Sequence, residues 1–565
     1  MQTGIEDLVK RIPERLKISM IVSGITGLAT YAYVFLNPIF TFDGTSLVLE
    51  YGIDTIVSGA TRFTPFTSVF HYLQGGVQNP WFAGIISLVL YGLSSFLTCE
   101  SCDIQSEWGV IFISSIMTVA PPLIASQVYG LGGMAFAVFL FFSSLSAWIV
   151  YSKIRYKWFF FFLTVFVVIS SYTGYIAWTA VIILLRQIRD LIANRETINR
   201  IKTNIIATVS TVVALALDVI ICKIIVFNNA VSVQERVNSF VSLTLKNRIE
   251  FASKSFIWLV GSFLPPQLVD FERDTYVSPH YFSYDNWFIQ KDALLIIFYI
   301  TLLLTAIITV RYIAGKRMEY KKGFVIKLVL YLIAIFLSMD VLSFFTNTHV
   351  LLHYGRIMPW ILMVMLYDLY LTERKTEKND ILTKAFGFSI VLLTSITVLS
   401  NCLAANVGYL RYQMLYRSAV LLANRITARI EAVEGFDIKE DRVYFCGGMA
   451  GYIELPTDSF FKSDGLLKGY DPYKSGTDYF FYILHHVGAP LDLVVGPPDW
   501  EVIPPMVTAD AETHFDRLNE ACGFCYNDND KREFVEMYNK TNDYPSANNC
   551  FIFNDHILVY RLINE

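Results

Sequence analysis

Long apolar runs separated by short charged connections set the pattern of this chain. A membrane-crossing helix needs about 20 mainly apolar residues, and the first such run extends from Ile18 to Asn37. Asn37-Pro38-Ile39-Phe40 follows it where a small-residue cleavage site would stand, so the run predicts a retained helix and not a signal peptide. Further apolar runs lie near 80–98, 109–128, 131–151, 158–170, 174–186, 204–227, 293–311, 323–342, 354–371 and 385–405. The runs at 158–170 and 174–186 are short for spans and flank Ser170-Ser171-Tyr172-Thr173-Gly174. They predict either a re-entrant pair or two broken helices, and in both cases the chain returns to the side it left. The expected fold is a polytopic α-helical membrane protein with about 11 transmembrane helices.

Past residue 405 the pattern changes. Residues 406–565 lack any apolar run of spanning length and instead mix a helical stretch, Tyr412 to Val433, with short strand-like runs at Arg442–Phe445 and Leu491–Val495. Gly447-Gly448, Gly496-Pro497-Pro498 and Pro504-Pro505 supply turns, and Phe551 to Tyr560 reads as a hairpin about Asn554-Asp555. Two domains follow: a transmembrane domain over 1–405 and a separate α/β domain over 406–565.

Charge then orients the spans. Lys10, Arg11, Arg15 and Lys17, Lys153, Arg155 and Lys157, Arg186 to Lys202, Arg311 to Lys322, and Arg374, Lys375 and Lys378 all fall on one side when the runs alternate. Positive charge marks the cytoplasmic side, so the expected location is the cytoplasmic (inner) membrane, with the N-terminus inside and the C-terminal α/β domain extracytoplasmic. Composition agrees: of 565 residues 54% are hydrophobic and 17% charged, with 44 Phe, 33 Tyr and 9 Trp, against about a quarter charged in soluble domains. A net charge of −4 supplies no basic field, which excludes nucleic acid as an expected partner.

Ionisable groups inside a membrane are costly and mark function by default. Asp218 lies in the later half of its predicted span and Lys223 nearer its end; five residues apart, they do not share a face. Asp340 closes the span at 323–342, and His353 and Arg356 open the next. Each also has a plain structural reading, as an interhelical ion pair or a helix cap. The connection from Asn37 to Pro80 is richest. If residues 43–57 are helical, Asp43, Glu50 and Asp54 fall at i, i+7 and i+11, nearly one line at about 100° per residue. That line is either an acidic stripe facing a cavity or the solvated face of an interfacial helix. Arg62 then enters an amphipathic segment, Phe63 to Gln74. A carboxylate and cations at the lipid interface suit a hydroxyl attacking a sugar carbon: a base takes the proton, and cations stabilise a leaving phosphate carried on a lipid. Asp43 is the expected base, with Arg62, Arg356 and His353 on the phosphate side; Glu50, Asp54, Asp218, Lys223 and Asp340 are possible supporting residues.

At these residues the sequence resembles the GT-C membrane glycosyltransferases, and within them the Gtr-type serotype-converting glucosyltransferases. The likeness is carried by Phe42-Asp43-Gly44, Ser58-Gly59-Ala60-Thr61-Arg62-Phe63, Asn79-Pro80-Trp81, Tyr354-Gly355-Arg356-Ile357-Met358-Pro359 and Asp555-His556-Ile557-Leu558-Val559-Tyr560. The resemblance implies a polyprenyl-phosphate-linked sugar as donor, a cell-surface polysaccharide such as O-antigen as acceptor, work at the outer face and inversion at the anomeric carbon, with no cofactor and no metal. It places Asp43 at the catalytic position and Arg62 at the first-loop arginine. Many relatives carry two acidic residues where this chain has Asp43-Gly44, and Gly-Arg where it has Thr61-Arg62.

Other classes remain as alternatives. A lipid-linked oligosaccharide flippase or solute transporter would show paired halves and midplane sites, and no repeat is visible. A polysaccharide polymerase or ligase would carry an arginine-bearing outer loop, and 228–291 holds Arg236, Lys246, Arg248, Lys254 and Arg273. Cys99 and Cys102 form a lone C-x-x-C without a second pair for zinc. Cys446, Cys522, Cys525 and Cys550 sit where oxidation permits two disulfides. Tyr470, Tyr473, Tyr479, Asp499 and Trp500 suit either stacking on sugar rings or ordinary packing.

Overall fold

The computed structural model describes residues 12–37, 65–67, 69, 80–127, 131–195, 200–225, 244–261, 291–315, 323–345, 357–373, 381–437, 441–446, 492–493, 510–522, 527–543, 545–546, 548–554 and 557–562. The described residues fall into two compact units, one up to Tyr409 and one from Leu410 onwards.

The first unit is helical: α1 Glu14–Leu36, α2 Pro80–Ser101, α3 Glu107–Thr118, α4 Pro121–Ser126, α5 Leu131–Tyr151, α6 Lys157–Tyr172, α7 Ile176–Ile192, α8 Arg200–Ile225, α9 Leu245–Gly261, α10 Lys291–Gly315, α11 Phe324–Phe345, α12 Met358–Glu373 and α13 Ile381–Glu431, whose later part belongs to the second unit. Among the described residues seven stretches are long and apolar enough to cross a membrane: Glu14–Leu36, Pro80–Ser101, Gly133–Tyr151, Lys157–Ile192, Arg200–Ile225, Ala293–Gly315 and Ile381–Leu410. This is a polytopic helical membrane protein.

Side-chain contacts fix the directions of the earlier helices. Arg15 at the start of α1 pairs with Glu100 at the end of α2, and its Nη1 donates to the Ile104 carbonyl. At the other end Gly84 lies against Phe35, where a Cβ would come within 2.5 Å of the ring, so only glycine lets α1 and α2 approach this closely. α3 runs alongside α1 through Ser19–Ser114 and Ser23–Thr118 hydroxyl pairs. α5 and α6 are antiparallel, with Lys157 donating to the Val150 carbonyl and Ser146 to Thr164. α7 runs with α5, as Ser143 meets Thr179 and Tyr151 donates to the Ile183 carbonyl. Thr98 meets Ser144, setting α5 along α2, so α1, α2, α3, α5, α6 and α7 reverse direction in turn, giving an Arg15 end and a Phe35 end.

The two short apolar runs form a hairpin. α6 and α7 are joined by the 3-10 turn Thr173–Tyr175, whose tip lies beside Phe136 near the start of α5. Its freed carbonyls are satisfied from neighbours: Ser143 Oγ donates to Tyr175 O at 2.7 Å, and Thr67 Oγ1 to Ser171 O at 2.7 Å. That is the condition for irregular backbone at membrane depth. The run at 109–128 is not one helix but α3 and α4, broken ahead of Pro121-Pro122, which lack the N–H groups to continue the ladder. The run at 385–405 and the stretch 412–433 are, conversely, one 51-residue helix. Gly408 between them weakens a helix by only about 1 kcal/mol. α9 falls where sequence predicted only a loop, and it packs on α11 with Phe256 edge-on to Phe336.

In the second unit β1 Arg442–Cys446, β2 Asp492–Leu493, β3 Cys550–Phe553 and β4 Ile557–Arg561 form a sheet of order β2-β1-β4-β3. β1 is parallel to β2 and β4, and β3 is antiparallel to β4 across the turn at Asn554. Helices α14 Ala511–Cys522 and α15 Asp528–Lys540 contribute Phe515, Leu518, Phe534 and Tyr538 to a core with Tyr444, Phe553 and Val559. Asn527 caps α15 in a reciprocal box with Asp530. Cys446 and Cys550 are free thiols, so neither forms a bridge of the two expected for this region, while Cys525 and the side chain of Cys522 lie outside the described residues. β4 lies between the strands of Cys446 and Cys550, which sets the two about 10 Å apart, twice the strand spacing and beyond disulfide reach.

Candidate active site

Most residues predicted for the site lie outside the described residues: Asp43, Glu50, Asp54, Arg62, His353 and Arg356. So do Tyr470, Tyr473, Tyr479, Asp499 and Trp500. Asp340 is placed by its backbone near the end of α11. Asp218 and Lys223 stand on α8, Asp218 buried and Lys223 exposed, so the structure does not bring the two together.

Asp218 is positioned by the hairpin. α8 is apolar over most of its surface, with Val212, Val213, Leu215, Ile220 and Ile224 exposed, and it presents Thr203, Ala214, Asp218 and Cys222 as its one buried face. That stripe packs on α6, where Ser170 in the last turn is the polar neighbour of the Asp218 carboxylate. Pro65 to Thr67, which follow Arg62 by a few residues, dock on the same hairpin: Thr67 binds the Ser171 carbonyl, and Phe66 meets Phe166 edge-on at 6.2 Å. A carboxylate, two serines and a threonine therefore converge at the Phe35 end of the unit.

At the Arg15 end stands an ion network that sequence reasoning missed. Arg189 and Asp368 are both buried and pair at 2.9 Å. Asp368 also accepts the backbone N–H groups of Gln105 and Ser106, and Arg189 donates to the Met365 carbonyl. Arg186 pairs with Asp190 at 3.0 Å, Arg195 with Glu373 at 2.8 Å, and Tyr312 donates to Glu373. The chain signalled this network only as basic residues flanking spans; Asp368, inside the apolar run at 354–371, was the available clue. Its charges are matched within the protein, so its chemistry is that of a clamp joining α2, α7 and α12.

In the second unit His514 on α14 is buried between the rings of Tyr444 and Tyr538. Tyr444 Oη lies 3.4 Å from Nδ1 and donates to the His514 carbonyl. Burial pushes the imidazole down to about 4, helped by the charges of Arg517 and Arg561 and opposed by Asp510. Among the described residues no group of three His, Cys, Asp or Glu side chains could hold a metal ion.

The helical bundle with alternating directions, one buried polar focus at its Phe35 end and a matched ion network at the other defines a multi-pass membrane protein. The family model for Glucosyl transferase GtrII matches residues 32–359, more than half of the chain, and the chain belongs to that family. The resemblance to Gtr-type glucosyltransferases is thereby borne out, and the activity class is glycosyl transfer. No curated protein and no solved structure matched the chain.

Proposed function

We propose that the protein transfers a hexose, glucose in the first instance, from a polyprenyl-phosphate donor to a cell-surface polysaccharide at the outer face of the cytoplasmic membrane. The observation that carries this reading is the family match, which runs from the end of α1 to the start of α12 and so takes in every loop residue assigned below. Residues 1–405 are the catalytic domain of GT-C type, and 406–565 an outer α/β domain beside the acceptor. Counting the two hairpin arms separately and adding α3–α4, α11 and α12 to the long helices gives about eleven crossings. The gathering of Arg15, Lys157, Arg186, Arg189 and Arg195 at one end supports a cytoplasmic N-terminus.

In this mechanism Asp43 accepts the proton of an acceptor hydroxyl as its oxygen bonds to the anomeric carbon. The bond from that carbon to the phosphate oxygen breaks on the opposite face, and its electron pair leaves with the lipid phosphate. Arg62 and Arg356, with His353, stabilise that developing charge. Glu50, Asp54, Asp340 and Lys223 support the polar surface around them. The reaction needs no cofactor and no metal, because the phosphate is already a good leaving group once paired with cations.

Reconstitution with radiolabelled polyprenyl-phosphate hexose and a glycan acceptor tests the reading. The wild type should transfer label, and Asp43→Asn should lower the rate by at least about 100-fold, the scale of a lost general base. Equal rates in the two proteins would remove Asp43 from its role.

A further inference from the structure

Among the described residues of the first unit the buried carboxylates are Asp190, Asp218 and Asp368. Asp190 and Asp368 have arginine partners. Asp218 is 1% exposed and Ser170 0% exposed; neither Asp218 Oδ1 nor Ser170 Oγ has a partner at hydrogen-bond distance, and the weak pull of the neighbouring Ser170 hydroxyl is what the carboxylate has in place of a well-made bond. A buried carboxylate oxygen and a buried hydroxyl that lack well-made hydrogen bonds are expensive to keep in a membrane helix, and replacing both by apolar groups would remove that penalty. The pair also stands where a lipid-borne headgroup can reach: Asp218 is seven residues, about 10 Å, from the end of α8 at Ile225, level with the hairpin tip.

The chemistry of the pair selects its ligand. A carboxylate oxygen only accepts, and a serine hydroxyl both donates and accepts. A phosphate would be repelled by the carboxylate, whereas adjacent hydroxyls of a sugar ring give it strong charge-assisted bonds. We propose that Asp218 and Ser170 form a subsite for the ring hydroxyls of the donor's hexose, separate from the cations that take its phosphate, and that they set which hexose is accepted. This deepens the proposed glycosyl transfer and rests on it. α8 is held by one narrow buried stripe while its other faces meet lipid, so a lateral shift of that helix opens the pair to the headgroup.

Equilibrium binding to the full-length protein in nanodiscs tests this, with polyprenyl-phosphate glucose and sugar-free polyprenyl phosphate as the two probes and transfer activity measured in parallel. The wild type should bind the glucosylated lipid more tightly. Asp218→Asn and Ser170→Ala should each weaken that binding by at least about tenfold and leave the sugar-free lipid unchanged. Asn fills the same space and removes an unpaired charge, so Asp218→Asn should melt no lower than the wild type; Ser170→Ala gives an independent reading if it does. Retention of the wild-type preference by both variants, with transfer intact, overturns the subsite and leaves the glycosyltransferase reading standing. A wild type that binds both lipids equally and transfers nothing overturns both.

Discussion

A single buried imidazole gives the second unit a pH response whose direction follows from its surroundings. His514 is enclosed by Tyr444 from β1, Tyr538 from α15 and Arg561 from β4, the last stacked 4.1 Å over the Tyr538 ring. Burial disfavours the charged ring, Arg517 on its own helix and Arg561 add positive charge, and Asp510 opposes them weakly, so its folded pKa falls from 6.5 to about 4. Between those values the unfolded chain binds more protons than the folded one, so the unit loses stability as pH falls from 6.5 towards 4 and has its full stability above that window. The loss at pH 4 should reach roughly 3 kcal/mol. Hydrogen-exchange opening energies for the β1 amides of the full-length protein, corrected for intrinsic rate, should show this slope, and His514→Phe should flatten it. An unchanged slope in the variant would assign the acid sensitivity to other groups. None of this was legible in sequence, where His514 is one histidine on a polar helix. Asp218 was legible, because a carboxylate in an apolar run stands out. Its neighbour Ser170 was not, since serines abound in the spans and only the packing of α8 on α6 selects this one.

At the scale of elements, the break between α3 and α4 is held open by side chains from other helices. Pro122 cannot bond to Thr118 O, and Tyr31 Oη donates to that carbonyl at 2.6 Å. The N–H of Leu123 turns to Ala120 O, and Asn401 Nδ2 takes the Val119 carbonyl at 3.0 Å. Tyr409 Oη adds a bond to Ile124 O at 2.8 Å. Asn401→Ala therefore strands a buried carbonyl and should destabilise the protein by about 1–3 kcal/mol. Asn406→Ala removes a bond to Ala29 O at an exposed site and should change stability by less than about 0.5 kcal/mol. Equal melting of both variants in detergent would show that the break does not depend on Asn401. Apolar run length located the spans well, because hydropathy is what the bilayer reads. It placed helix ends poorly: α1 starts at Glu14, where a charged turn hides the helix from a hydropathy scan. It passed over the break at Pro121 because both halves are equally apolar. It missed α9 because Lys246, Arg248, Glu250 and Lys254 interrupt its apolar pattern, and it divided α13 at Gly408, which long-range packing of Asn401 and Tyr409 on α3 and α4 overrides.

At the scale of the molecule, the strongest organising fact is the separation of chemistry between the two ends of the first unit. The Arg15 end is basic and internally neutralised: its arginines meet Glu100, Asp103, Asp190, Asp368 and Glu373. The Phe35 end carries the hairpin tip, the docked segment Pro65 to Thr67 and the unpaired Asp218. The family match spans residues 32–359, which lie ahead of α13 and the second unit. Everything in this arrangement depends on the two ends facing different compartments. In a chain whose native cysteines are replaced by serine, Asn37→Cys marks the end of α1, and Tyr156→Cys, 67% exposed in the turn between α5 and α6, marks the opposite end. A membrane-impermeant maleimide added to intact cells should label the cysteine at 37 and spare the one at 156, which reacts only after permeabilisation. The reverse pattern would put the Asp218 end in the cytosol, where the donor's sugar would have to be presented from the inside. Labelling of both sites from one side would break the alternation of helices itself, because α1 and the α5–α6 turn would then share a compartment that their opposed ends in the bundle forbid.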